Sequence, residues 1–127
     1  MGRAARGLNG RRYPWGEEID SDRANYSDAE IGSTSPVGAF PRGATPENEG
    51  SAHDLSGNVF EWMRSLWKDY PYDPEDGRED MKAQAGRVVR GGSFYHGDRS
   101  VRAALRDHDD PGYRNFSLGF RVVVSRF

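Results

Sequence analysis

Cysteine is absent from the chain, and lysine occurs only twice. Without a thiol there can be no disulfide, no thiolate metal site and no sulfur nucleophile; the compartment is left open. No apolar run approaches the roughly 18 residues needed to cross a bilayer. No signal peptide opens the sequence, and no excess of positive charge points to a nucleic-acid partner. Eighteen Lys and Arg face twenty Asp and Glu, leaving a net charge of −2 at pH 7.

What is present is turn chemistry and aromatics. Sixteen glycines and seven prolines, with 12% Phe, Trp and Tyr, describe a chain too aromatic for disorder and too polar for a helix bundle. At 127 residues there is room for one domain (1–127) with one modest core. The predominance of arginine over lysine favours bidentate ion pairing. The cluster Arg3, Arg6, Arg11 and Arg12 reads as a solvated face rather than a phosphate site.

Along the chain, residues 1–12 read as a helix tail or a loop, and Tyr13-Pro14-Trp15-Gly16 as an aromatic turn. Proline at both ends predicts an extended segment over Pro36–Pro41. Residues 42–52 read as a loop, Val59–Trp67 as a strand buried in at least its first half, and the acidic Lys68–Gln84 as an exposed excursion. Arg87–Phe94 and Leu118–Arg126 have the β-branched density of strands. The expectation is an irregular, mostly β domain with little regular helix.

Among candidate sites, Gly91-Gly92 lacks the Lys-Ser/Thr of a phosphate loop and reads better as a bulge where another backbone approaches. His108-Asp109-Asp110 precedes Pro111-Gly112 and reads as an exposed turn. Asp54-Leu55-Ser56-Gly57-Asn58-Val59-Phe60-Glu61 is a stronger metal candidate. Two acids flank a Gly-Asn turn, and calcium takes six to eight oxygens from carboxylates, carbonyls and water. The same acids could equally satisfy backbone N–H groups beside a buried strand.

Several motifs in order carry a resemblance: Tyr13-Pro14-Trp15-Gly16, Ala24-Asn25, Pro36–Pro41, Asp54–Trp62, Arg90-Gly91-Gly92-Ser93-Phe94, Arg102-Ala103-Ala104 and Gly119-Phe120-Arg121. Together they resemble the formylglycine-generating-enzyme, or sulfatase-modifying-factor, family across nearly the whole chain. The resemblance implies an α+β, C-type-lectin-like domain with little regular secondary structure, shortened here at its N-terminus. It implies calcium held by the Asp54 and Glu61 side chains with the Gly57 and Val59 carbonyls, and a second, less complete site at Asn25 and the Tyr26 carbonyl. The family's oxidase binds copper through two cysteines just after the RGGS-type motif. Here that region reads Phe94-Tyr95-His96-Gly97-Asp98-Arg99-Ser100-Val101, so neither copper nor that reaction is expected.

The variable proteins of diversity-generating retroelements share this family's fold. Their C-terminal ligand face is diversified at adenines, and an AAC codon so mutated never yields Lys, Glu, Gln, Met or Trp. All seventeen such residues of this chain fall within 1–89 and none within 90–127. The resemblance therefore implies a non-catalytic ligand-binding module for a protein or other macromolecular surface, its face drawn from about residues 94–117. Candidate positions are Tyr95, His96, Gly97, Asp98, Leu105, Asp107, His108, Tyr113, Phe116 and Ser117. Two alternatives are a metal-dependent oxidoreductase, with iron on His96, His108 and Asp98 or Asp107, and a structural or sensor part of a larger assembly.

Overall fold

The computed structural model describes residues 1–124. Its only α-helix among them is α1 (Gly2–Arg6), and its sheet is built from β1 (Phe60–Leu66), β2 (Arg87–Arg90), β3 (Asp107–Asp109) and β4 (Leu118–Gly119). The order is β3-β2-β1-β4. β1 and β2 are antiparallel with Trp62 opposite Val89, β2 and β3 antiparallel with Val88 opposite His108, and β1 and β4 parallel with Phe60 opposite Leu118. The segment from Lys68 to Gly86 connects β1 to β2 as a long excursion, and the returning loops lie at the two edges.

The strands form where β-branched and aromatic residues are dense, but they stop earlier than the sequence predicts. β2 ends at Arg90 because Gly91 and Gly92 take positive φ (96° and 71°) and turn the chain out of the sheet. β4 covers only Leu118–Gly119 of the expected Leu118–Arg126 strand. Phe120 and Val122–Val124 are exposed and outside the sheet, while Ser125 and Arg126 lie outside the described residues. Pro36–Pro41 is not extended either. Gly38, at φ 80°, lets the chain reverse, and Ala39 N–H donates to the Pro36 carbonyl at 3.1 Å. Two prolines fix φ at their own positions but do not forbid a type II turn between them.

The excursion over 68–84 is mostly exposed as expected, with Lys68, Asp76, Glu79 and Ala83 half-buried and Arg78 buried. That side chain is buried at the excursion's centre, donating to Asp76, to the Asp69 and Pro71 carbonyls, and standing over the Tyr72 ring. Its hydrogen bond holds the Asp76 carboxyl at about 2, well below the usual carboxylate range.

Among the described residues, two small apolar clusters add to the buried sheet residues Phe60, Leu66, Val88 and Val89 to form the core. Tyr13, Ala24, Tyr26 and Val101 pack together with Trp15 against them, and Ala5, Leu55 and Ala103 pack with Met1 and Ala52. Tyr13 and Trp15 stack at 5.3 Å. Burial of a side chain such as Val101 contributes about 1.5–3 kcal/mol, and most of these residues sit on loops. Loop-to-loop backbone bonds do the work that regular ladders do elsewhere: Ala103 N–H to Arg12, Asn58 N–H to Asn25, Gly57 N–H to Gly91, Ser27 N–H to His96 and Phe94 N–H to Asn58. Buried backbone must find a partner, and in this chain it finds one across loops.

Candidate functional site

The turn after β2 presents the first group of candidate ligand residues. Ser93 is fully buried, and its hydroxyl lies 2.6 Å from His96 Nδ1 while receiving the Tyr95 N–H at 3.3 Å. His96 N–H bonds back to the Ser93 carbonyl, and the His96 ring stands edge-on to Phe60 at 5.1 Å. His96 is thus tied inward while Tyr95 is turned out, 67% exposed. Phe116, 64% exposed, meets Tyr95 at 5.5 Å in a T-shaped contact and Phe94 at 5.8 Å.

A groove of about 470 Å³ lies over this trio, its other wall being Gly32, Ser33 and Thr34. Asn58 holds that wall in place: its Oδ1 accepts Ser35 N–H at 2.9 Å and its Nδ2 donates to the Ser35 carbonyl at 3.2 Å. Among the described residues no charged side chain lines the groove.

The other candidate positions divide. Gly97 and Asp98 continue the same exposed turn. Ser117 is 4% exposed, with its N–H and Oγ–H both donating to Asn115 Oδ1 and its carbonyl accepting from Phe60. It is scaffold, and its placement on a binding surface is corrected accordingly. Leu105 is half-buried, its carbonyl accepting from Arg90. Asp107 and His108 lie on β3, at the sheet edge opposite β4, where the His108 ring stacks on Trp67 at 4.6 Å. Tyr113 lines a different cleft with Trp62 and Phe120. His96 and His108 therefore occupy separate surroundings. Among the described residues no group of three or more His, Asp and Glu side chains converges to hold a metal ion.

The loop expected to hold calcium is organised around a guanidinium. Glu61, 6% exposed, accepts Arg121 Nε–H at 2.9 Å on Oε2 and Nη2–H at 2.7 Å on Oε1. Arg121 also donates to the His53 and Asp54 carbonyls, each at 2.8 Å, and its hydrogen bond to Glu61 raises its pKa further above the ordinary arginine value. Asp54 Oδ2 receives the Gly38 N–H at 2.6 Å. The oxygens have the chemistry calcium prefers, but a cation reaching Glu61 must share it with Arg121.

At the second site, Asn25 is buried with Nδ2 donating to the Ser33 carbonyl and Ser35 Oγ, while its buried Oδ1 has no partner among the described residues. That oxygen fits a missing donor or cation. The Tyr26 carbonyl, however, accepts Ala29 N–H, and Asp28 Oδ1 is held by Ser27.

Phe94, read from the sequence as the end of a strand, is part of this groove, and Gly32–Thr34 carry no motif that marks them as its wall. Sequence reasoning missed a stack on the β3 side, in which the Arg106 guanidinium stands 4.3 Å from the Trp67 ring centre and 4.2 Å from that of Tyr70. Aromatics recurring inside an acidic stretch were the available signal.

The fold is the C-type-lectin-like fold of formylglycine-generating-enzyme type. Residues 1–126 match the model of the sulfatase-modifying factor enzyme 1-like domain, and the chain belongs to that family. It is 33% identical over 122 residues to the serine/threonine-protein kinase pkn1 of Chlamydia caviae, covering 92% of this chain and 18% of the kinase. It is 35% identical over 138 residues to the inactive C-alpha-formylglycine-generating enzyme 2 of Mus musculus, covering 96% and 40%. Among solved structures, Treponema denticola variable protein 1 superposes with a TM-score of 0.74 at 25% identity, covering 94% of this chain and 42% of that one. The chain thus spans less than half the length of each. Among the described residues no helix is long and apolar enough to cross a membrane.

Proposed function

We propose that the chain is a non-catalytic binding module whose contact surface is the Phe94–Tyr95–Phe116 groove. The observation that carries this reading is the pair of exposed aromatic rings, Tyr95 and Phe116, braced on the buried Phe94 beside an uncharged groove. Tyr and Phe provide large contact area at low rotamer cost, which is how adaptable binding surfaces obtain affinity. Likeness to a protein described as variable supports the reading, as does the confinement of Lys, Glu, Gln, Met and Trp to residues 1–89. The diversified positions are then drawn from the exposed candidates, Tyr95, Gly97, Asp98, Asp107, His108, Tyr113 and Phe116, rather than from the buried Ser117. Titration with p-cresol, a small apolar aromatic probe, should shift the NMR signals of Phe94, Tyr95, Thr34 and Phe116 and few others. The Tyr95→Ala/Phe116→Ala variant should lose those shifts while keeping its melting temperature within a few degrees. Shifts that centre elsewhere, or that survive both substitutions, overturn the placement.

Calcium at Asp54, Gly57, Val59 and Glu61 belongs to the same proposal, as a stabilising ion rather than a ligand-contacting one. An ion bound only by the folded state adds RT ln(1 + [L]/Kd), roughly 2.7 kcal/mol at a hundredfold excess over Kd. Millimolar calcium should then raise the melting temperature by several degrees relative to chelator. Superimposed curves in the two conditions remove calcium from the proposal and leave Arg121 as the ion-pair partner of Glu61.

A further inference from the structure

Two adjoining hollows beside α1, of about 530 and 850 Å³, share Gly2, Arg3, Tyr70 and Arg90 in their walls. Both volumes fall within the range of small-molecule sites. Arg3, Arg6 and Arg90 line the smaller hollow, and Arg64, Arg78 and Arg106 add to the larger. Among the described residues no Asp or Glu lines either, in a chain where acids outnumber bases. Among the described residues, Arg3, Arg6 and Arg90 make no ion pair with a carboxylate. Of the neighbouring arginines, Arg11 is matched by Glu49, Arg64 by Glu79 and Arg78 by Asp76, while Arg106 has no carboxylate partner among the described residues, so the uncompensated charge lies on Arg3 and Arg90, which line both hollows, with Arg6 in the smaller and Arg106 in the larger.

The positions of these groups are built rather than incidental. Arg90 is pinned by donating to the Leu105 carbonyl at 3.0 Å and to the Tyr70 hydroxyl at 3.2 Å. Tyr70 in turn is held face-on to Arg106, which Trp67 backs from its own side. A Cβ on Gly2 would stand 3.2 Å from the Arg90 guanidinium carbon, so the glycine allows the helix to lie close against it. Arg3 and Arg6, three residues apart on α1, line the smaller hollow together with Arg90.

We propose that this double hollow is a binding site for a phosphomonoester carried on an apolar or aromatic body. The phosphate sits among Arg3, Arg6 and Arg90, whose planar forks match tetrahedral oxyanions bidentately. The body sits in the larger hollow against Tyr70 and Tyr72. A free organic phosphate and a phosphorylated side chain present the same chemistry here. This site is separate from the Tyr95–Phe116 groove and does not depend on its function.

The test is isothermal titration of the whole chain at low ionic strength with phenyl phosphate, phenyl sulfate and inorganic phosphate. Phenyl phosphate should bind saturably, one to one, and severalfold more tightly than inorganic phosphate. Its affinity should rise between pH 5.5 and 7.5, because the phosphate takes its second charge near pH 6 while arginine does not titrate. Phenyl sulfate, a monoanion throughout, should bind more weakly with no such rise. Arg3→Glu/Arg6→Glu should weaken phenyl phosphate by about tenfold or more, with Tyr95→Ala/Phe116→Ala as an unaffected control. If the double reversal disturbs folding, Tyr72→Leu serves instead, since Tyr72 lines only the larger hollow, and it should lower affinity for phenyl phosphate while leaving inorganic phosphate unchanged. A phosphotyrosine tripeptide binding more tightly than phenyl phosphate assigns the source to a phosphorylated chain, and equal binding to a small molecule. Absence of saturable phenyl phosphate binding, parity with inorganic phosphate, or indifference to the arginine reversals overturns the proposal.

Discussion

Arg121→Ala is expected to destabilise the fold by about 3 kcal/mol, the low end of what removing one partner from a buried ion pair costs. Both Glu61 oxygens accept from this guanidinium, and its remaining N–H groups hold the His53 and Asp54 carbonyls. The side chain ties β1, the loop before it and the segment after β4 into one unit. Its loss leaves a carboxylate in a site 6% exposed without its counter-charge, and leaves two carbonyls to find water. The low end applies because a third of the Arg121 side chain faces solvent, which can partly solvate the vacated site. For a chain of this length the melting temperature should fall by roughly 10 °C. Arg121→Lys should recover little, since an ammonium cannot span both oxygens and both carbonyls. Adding Glu61→Gln to Arg121→Ala should recover part of the loss by removing the charge. If calcium does reach this loop, it should stabilise Arg121→Ala more than the parent, because the competing guanidinium is gone. An Arg121→Ala variant melting within about 2 °C of the parent would show that the pair does not hold the loop.

Gly92→Ala should be comparably damaging, at about 2–5 kcal/mol, from two additive causes. Its φ of 71° is left-handed, which costs an L-residue roughly 1–2 kcal/mol. The added Cβ would also stand 2.6 Å from the Ser100 carbonyl oxygen and 2.8 Å from Val101 Cγ1. A backbone oxygen cannot rotate away, so the strand end or the 100–101 segment must shift, a typical overpacking cost of 1–3 kcal/mol. Val101 is fully buried against Tyr13, Ala24 and Tyr26, so the shift propagates into the core. It also moves the adjoining turn, and with it the Tyr95 ring. Gly97→Ala is the matched control, five residues on in the exposed turn: apart from its chain neighbours, no atom of the described residues lies within 4 Å of its added Cβ, and the change should stay within about 0.5 kcal/mol. Equal melting temperatures for the two variants would mean that the Gly92–Ser100 approach is not what fixes the turn.

The reading of Gly91-Gly92 as a close backbone approach was available from the sequence, because a glycine pair ending a β-branched run has few other uses. The family and its fold were legible too, through motifs spread in order along the chain rather than through any secondary-structure pattern. The strand ends were not. Val122-Val123-Val124 has strand composition, yet those residues stand outside the sheet, since β-propensity describes a side chain's fit to a pleated surface and not whether a neighbouring strand is present to receive it. Ser117 failed as a surface residue for a related reason: the chemistry of a serine is the same whether its hydroxyl meets a ligand or, as here, Asn115.

By itself, the sequence determined what chemistry is available. The absence of cysteine excludes thiolate copper, and the acids of Asp54 and Glu61, the aromatics near Tyr95 and the excess of arginine are facts of composition. Only the tertiary structure decided how those groups are paired. It set Arg121 on Glu61 across sixty residues, split His96 from His108 onto different supports, and brought Phe116 to Tyr95. It also put Arg3 and Arg6, read as a solvated face, with Arg90 in the lining of a hollow that has no carboxylate among the described residues. In a fold held by loop-to-loop contacts, neighbours in space are set by long-range closure, which no local periodicity in the sequence encodes.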